Sequence, residues 1–211
     1  MRTGIGGALA TQALARPTER EVLIVGTGIQ CRVQAQCLAR LAPDAGYRFT
    51  IWGRSAENAA AAVDDLARMG LPARTAVDLR DAVRQAGIVI TTTPSVEPLV
   101  VHQWVQPGTH ITAIGADSPG KRELDVELVA LADLKVCDLA SQSFDHGEFQ
   151  HARAVDRLAD VVELGEVLSG RHPGRMRDED ITIADLTGIA PQDIAITQSV
   201  LASYGHFMEA V

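Results

Sequence analysis

The apolar run Val22-Leu23-Ile24-Val25 breaks directly into Gly26-Thr27-Gly28. A short β-branched run that ends in glycine reads as a buried parallel strand entering a tight turn. A helical pattern follows over residues 30–41, so the glycines sit between a strand and a helix. In that setting Gly26 permits the turn and Gly28 lets the backbone approach a pyrophosphate. Cys31 supplies the small side chain needed where the helix meets the strand. Phosphates would lie at the positive end of the helix, met by free backbone N–H groups. A lone GxG is weak evidence; its place at the head of an alternating series gives it weight.

That series continues with a strand at 49–52, an alanine-rich helix capped by Ser55 and running to 69, and a short strand at 73–76. Asp78 caps a helix to 85, and strands follow at 87–92, 110–114 and 134–138, the last two separated by a helix at 124–132. Six strands alternating with helices predict an α/β fold, a doubly wound parallel sheet of the Rossmann NAD(P)-binding kind. Beyond Asp138 the pattern changes to a helix at 141–155, a short helix at 162–168, a solvated loop at 170–180, a strand at 181–186 and a helix at 191–208. The chain therefore divides into a connecting helix (1–16), the dinucleotide-binding domain (17–140) and a segment (141–211) that returns to a second domain.

Composition removes several classes of function. The 19 Lys and Arg against 27 Asp and Glu leave a net charge of −8, which argues against a nucleic-acid partner. Hydrophobic residues at 46% describe a globular chain, and aromatics at only 4% require a core of aliphatic side chains. Cys31, Cys37 and Cys137 form no CxxC, and the six His show no ligand spacing, so no metal site is expected and a reducing cytoplasm suits the chain. No apolar run has the length of a membrane span, so no membrane partner is expected.

The tip of the second strand selects the nucleotide. A carboxylate there would bind an adenosine ribose and favour NAD, but the chain reads Trp52-Gly53-Arg54-Ser55. Arg54 can pair with a 2′-phosphate and Ser55 can donate to it, which favours NADP(H). The alternative makes Arg54 an ordinary surface arginine partnered by Glu57.

The densest polar cluster, residues 115–124, follows the fifth strand. Ligands of open α/β sheets lie outside the carboxyl ends of the strands, so Asp117 points into the expected site as a candidate general acid or base. The alternative gives it only the role of turning the chain before Pro119.

At these residues the chain resembles the ornithine cyclodeaminase/mu-crystallin family. The matching segments are Arg2-Thr3-Gly4, Gly26 to Gln30, Thr91-Thr92-Thr93-Pro94-Ser95, residues 115–124, residues 163–168, and Thr187-Gly188-Ile189-Ala190 with Gln192-Asp193. They run in family order along nearly the whole chain. The resemblance implies hydride exchange between a nicotinamide and the α-carbon of an imino or amino acid, with Asp117 as the acid/base residue. It implies that Arg2 binds the substrate carboxylate, that Thr187 closes the far side of the pocket, and that Thr3 lies near the cofactor. Ile29 and Gln30 would touch the pyrophosphate, Thr93 and Pro94 the nucleotide edge, Ile114 and Gly115 the nicotinamide, and Lys121 a nearby part of the cofactor.

Two departures stand out. The chain has Asp185-Leu186 where the family often has Asp-Ser, and it starts at the Arg-Thr-Gly motif, before which the family carries a catalytic lysine, most of a second domain and the dimer surface. The chain is thus expected to be truncated, with the apolar faces of Ile183, Ile194, Ile196 and Leu201 uncovered and a homodimer expected once that segment is supplied. Three readings follow: an NADP(H)-dependent imine reductase, an ornithine-type cyclodeaminase with an internally recycled NAD, and an NADP-binding module with little turnover.

Overall fold

The computed structural model describes residues 1–209, with side chains described through residue 202. Residues 210 and 211 of the C-terminal segment lie outside the described residues. Eight strands form one sheet: β1 (Glu21–Val25), β2 (Arg48–Trp52), β3 (Ala73–Thr75), β4 (Ile88–Thr91), β5 (His110–Ala113), β6 (Leu134–Cys137), β7 (Val161–Glu163) and β8 (Thr182–Asp185). Their order is β3-β2-β1-β4-β5-β8-β6-β7, and every pairing is parallel. The order reverses direction between β1 and β4, which is where such a sheet opens a crevice beyond its strand tips.

Strand pleating sends alternate side chains to opposite faces. Val22 and Ile24 of β1 join Ile51, Ile88 and Ile90 on one face, beneath Ala35 and Leu38 of α2 (Ile29–Leu41) and Ala62 and Leu66 of α3 (Ala56–Arg68). Leu23 and Val25 join Val89 and Ile111 on the other, covered by Val83, Leu128 and Phe149 from α4 (Leu79–Gln85), α5 (Val126–Leu131) and α7 (Phe149–Ala154). Cys31 is fully buried among these aliphatic residues, in the packing role its small side chain suggests. Ser55 and Asp78 cap α3 and α4 through the amides of Asn58 and Asp81, each worth about 1 kcal/mol.

The opening helix α1 (Arg2–Leu14) lies along α2 and then over the far half of the sheet. A Cβ at Gly4 would strike the side chains of Val33 and Cys37, so glycine permits the close approach of the two helices. Farther along, Ala10 and Leu14 pack on Val136, Ala184 and Leu186.

The sheet does not end near residue 140, where the sequence placed the edge of the dinucleotide-binding domain, because β7 and β8 both join it. The start of the short helix expected at 162–168 is instead strand β7, with α8 (Leu164–Leu168) following. The strand expected to return to another domain is β8, inserted between β5 and β6, so Ile183 is fully buried in the central core rather than uncovered. The single helix expected at 141–155 is broken at Gly147 into α6 (Ala140–His146) and α7. The loop at 170–180 is largely solvated, yet Arg175 anchors it to the carbonyl of Leu14 at 2.7 Å and Asp180 is buried. The last helix, α9 (Ala190–Glu209), does expose Ile194 and Leu201.

Candidate active site

The carboxyl ends of β1, β2 and β4 enclose a groove of about 630 Å³. Gly26, Gly28, Arg54, Ser55, Thr93 and Pro94 line it, as the sequence implies, together with Trp52 and Asn58. Gly26 has φ +123°, a conformation that glycine adopts readily, and its missing side chain leaves space beside Thr92 and Thr93. Gly28 caps α2 with extended backbone and no side-chain hydrogen bond; the Cys31 amide turns back to the Gly28 carbonyl at 3.2 Å, which leaves the amides of Ile29 and Gln30 as the donors of the helix start. Arg54 is exposed at the tip of β2 and, among the described residues, has no ion pair, Glu57 included.

Two residues into α2, the chain leaves this groove for a smaller cavity of about 110 Å³. Arg2, Thr3, Gln30, Ile114, Asp117 and Thr187 line it, joined by Asp138 and Gln192. Residues more than a hundred positions apart thus meet at the carboxyl ends of β5, β6 and β8. Gln30 lies here rather than in the groove, and Ile29 is 77% exposed on the other side of the helix start. The Oε1 of Gln30 is buried and has no hydrogen-bond partner among the described residues.

Asp117 accepts a 2.6 Å hydrogen bond from Lys121 Nζ and a 3.1 Å bond from Ser118 Oγ. Partial burial pulls its carboxyl up, but the hydrogen bond and charge of Lys121, with the Ser118 bond, hold it below the ordinary value of 3.8. Lys121 therefore stands as the counter-charge of Asp117, where the resemblance implied a contact with cofactor. Arg2 pairs through Nε with Asp193 at 3.1 Å, and its guanidinium lies over Gly188, where a Cβ would collide with it. The terminal nitrogens of Arg2 lie nearest Gly188, which lines the same cavity. The Thr187 hydroxyl donates to Asp138 at 3.0 Å and accepts from Gln142 at 2.9 Å, so its proton is committed within the protein.

Two acidic residues that organise the site, Asp138 and Glu123, are not among the candidates the sequence offers. Asp138 also accepts from the amide of Gly188 at 2.6 Å, fixing the Thr187-Gly188 turn. Its place at the tip of β6 is the one signal in the sequence that could have singled it out, by the same positional argument as Asp117. Glu123 is fully buried and hydrogen-bonds Thr91, Thr93 and Gly115. Gly115 itself borders neither cavity; its amide is turned toward Glu123.

The family model for the ornithine cyclodeaminase/mu-crystallin family matches residues 1–205. The chain belongs to this family. Among solved structures of similar proteins, the iminosuccinate reductase of Paracoccus denitrificans in complex with NAD+ superimposes with a TM-score of 0.90 at 34% identity, covering 97% of this chain and 63% of that one. An archaeal alanine dehydrogenase dimer with bound NAD gives 0.86 at 36% identity, covering 93% and 61%. The Thermococcus litoralis Δ1-pyrroline-2-carboxylate reductase, in complex with NADH and L-proline, gives 0.84 at 26% identity, covering 91% and 60%. The chain thus spans about three fifths of the length of each of these family neighbours.

Proposed function

We propose that this chain serves an NADP(H)-dependent oxidoreductase that moves a hydride between nicotinamide and the α-carbon of an imino or amino acid, in the manner of a ketimine or pyrroline-2-carboxylate reductase. The observation that carries this reading is the meeting of Arg2, Asp117 and Gln30 around one small cavity beside the nucleotide groove. A cation suited to a carboxylate and an acid suited to a nitrogen-bound proton stand there together. The imine reductases among the family neighbours support the choice of substrate class.

The residues present fit a nicotinamide dinucleotide. A Cβ at Gly28 would meet nothing within 4 Å, which leaves room for a phosphate group against the helix start. The unpartnered Oε1 of Gln30 is a waiting acceptor where groove and cavity approach each other. When bound, the cofactor supplies the hydride. Arg2 holds the substrate carboxylate and so orients the α-carbon. Asp117, kept ionised by Lys121, holds the proton on the substrate nitrogen during reduction and takes it up in the reverse direction.

Arg54, Ser55 and Asn58 line the groove at the tip of β2, and the one carboxylate among its described lining residues, Glu97, follows β4 instead. This arrangement supports NADP(H) over NAD(H). Arg54→Ala is expected to weaken NADPH binding by about 10- to 100-fold, the worth of a charge-assisted hydrogen bond, with little change for NADH. Titrating each nucleotide against the fluorescence of Trp52 and Trp104 checks this; tighter wild-type binding of NADH would reverse the preference. Turnover is tested by NADPH oxidation with pyrroline-2-carboxylate. Ammonia release from ornithine without net change in NADPH would instead identify a cyclodeaminase.

A further inference from the structure

We propose that Glu123 is a positioning residue, whose buried carboxylate locks the loop carrying Asp117 to the cofactor edge of the groove. The inference rests on the reading of Asp117 and of the groove given above. It begins from three hydrogen bonds. One oxygen of Glu123 accepts from the Thr93 amide at 2.5 Å; the other accepts from Thr91 Oγ1 at 2.7 Å and from the Gly115 amide at 2.8 Å. Thr91 ends β4, Thr93 lines the nucleotide groove, and Gly115 opens the loop that holds Asp117 and Lys121. A single side chain therefore joins two neighbouring strand tips to the far end of that loop.

The loop is closed at both ends. Its backbone is tied to the 95–100 segment by Arg122 N–H donating to the Ser95 carbonyl at 2.8 Å, and by the amides of Leu99 and Val100 donating to the Glu123 carbonyl at 2.7 and 3.0 Å. Behind it, Glu148 accepts from the amides of Glu123 and Leu124 at 2.6 and 3.1 Å, so Glu123 is itself held in place. A Cβ at Gly115 would collide with the Thr93 carbonyl and the Glu123 carboxylate, which leaves no slack at the contact.

Glu123 is fully buried and has no ion pair among the described residues. A buried charge is costly, and here three accepted hydrogen bonds offset that cost; an apolar residue would leave their donors unpaired. What a carboxylate adds is directional acceptance from three donors on separate segments, which fixes the distance between Asp117 and the groove.

The test compares the full protein with its Glu123→Gln variant. Glutamine keeps the shape but turns an NH2 group toward one of the three donors. Amide hydrogen exchange at Thr93 and Gly115 should accelerate about tenfold or more, while the strand amides of Ile90 and Ile111 stay protected. The kcat for pyrroline-2-carboxylate should fall by about 10- to 100-fold with the KM for the imine nearly unchanged, as misplacement of a catalytic group predicts. Unchanged exchange at Thr93 and Gly115 overturns the proposal. So does a lowered melting temperature with kcat per folded molecule preserved, since that describes a merely structural role. A wild-type protein that neither binds NADPH nor reduces the imine defeats the functional reading instead, and the exchange arm then still decides whether Glu123 holds the two loops together.

Discussion

Asp117→Asn is expected to lower kcat for imine reduction by about 10²- to 10⁴-fold, the usual worth of a general acid or base. Asparagine keeps the size of the side chain and can still accept from Lys121, but without the negative charge it cannot hold the proton on the imine nitrogen during reduction or take it up in reverse. The binding of NADPH should change little, because Asp117 lines the small cavity and not the nucleotide groove. The pH profile gives an independent check. Lys121 and Ser118 hold the Asp117 carboxyl below its ordinary 3.8 against the opposing effect of partial burial, so an activity that needs the carboxylate is retained down to acid pH. Lys121→Met removes the main opposing charge, and the acid limb of the profile should move to higher pH. Equal activity of Asp117→Asn and wild type would remove Asp117 from the chemistry.

A second large effect is expected from Asp185, at the carboxyl end of β8. Its side chain is almost wholly buried, accepts from Ser143 Oγ and from the Phe149 amide at 3.4 Å, and leaves its other oxygen without a partner among the described residues. Burial, reinforced by the charge of Asp138 and opposed by these hydrogen bonds, pushes its carboxyl from 3.8 up to about 7. The folded protein thus holds this proton more tightly than the unfolded chain does. Its contribution to stability is greatest below pH 3.8, is lost as pH rises from there to about 7, and is constant above that. Glu123 and Glu148, also pushed up by burial, act in the same direction. Asp185→Asn should remove this liability, and its stability advantage should grow between pH 4 and pH 8 to a few kcal/mol, on the order of 4 at most. Denaturant midpoints of both proteins across that range check the prediction. A difference that does not grow with pH would show that Asp185 does not titrate in this way.

Much of the fold is legible because its central strands, β1, β4, β5, β6 and β8, are almost wholly buried. Val22 to Val25, interrupted only by Leu23, and Ile88 to Thr91 are runs of β-branched residues, the pattern a parallel sheet covered on both faces requires. Strand β7 was read as helix because it has only three half-buried residues at the sheet edge and leads straight into the helical Leu164–Leu168. Strand β8 was recognised but misplaced, since a run of apolar residues does not say between which neighbours it will pair. In the site, Gly26, Arg54, Thr93, Asp117 and Thr187 announced themselves through strand tips and motifs. Glu123 and Asp185 lie in or beside such motifs and Asp138 at a strand tip, yet nothing in the sequence marks out their roles. Each is an ordinary acidic residue in a chain rich in them, and its role comes from burial beside particular backbone amides, which only the folded chain brings together.

The insertion of β8 between β5 and β6 also bears on how the protein is made. A chain leaving the ribosome presents both of these earlier strands before the one that joins them exists. Each then carries an unpaired edge of backbone donors and acceptors, a known invitation to pairing with other chains. The two halves of the sheet cannot become continuous until Thr182–Asp185 has emerged. Such a topology demands pairing between segments far apart in sequence, which slows folding and prolongs the vulnerable interval during synthesis. The joint between β5 and β6 is thus made by a strand translated after both of them.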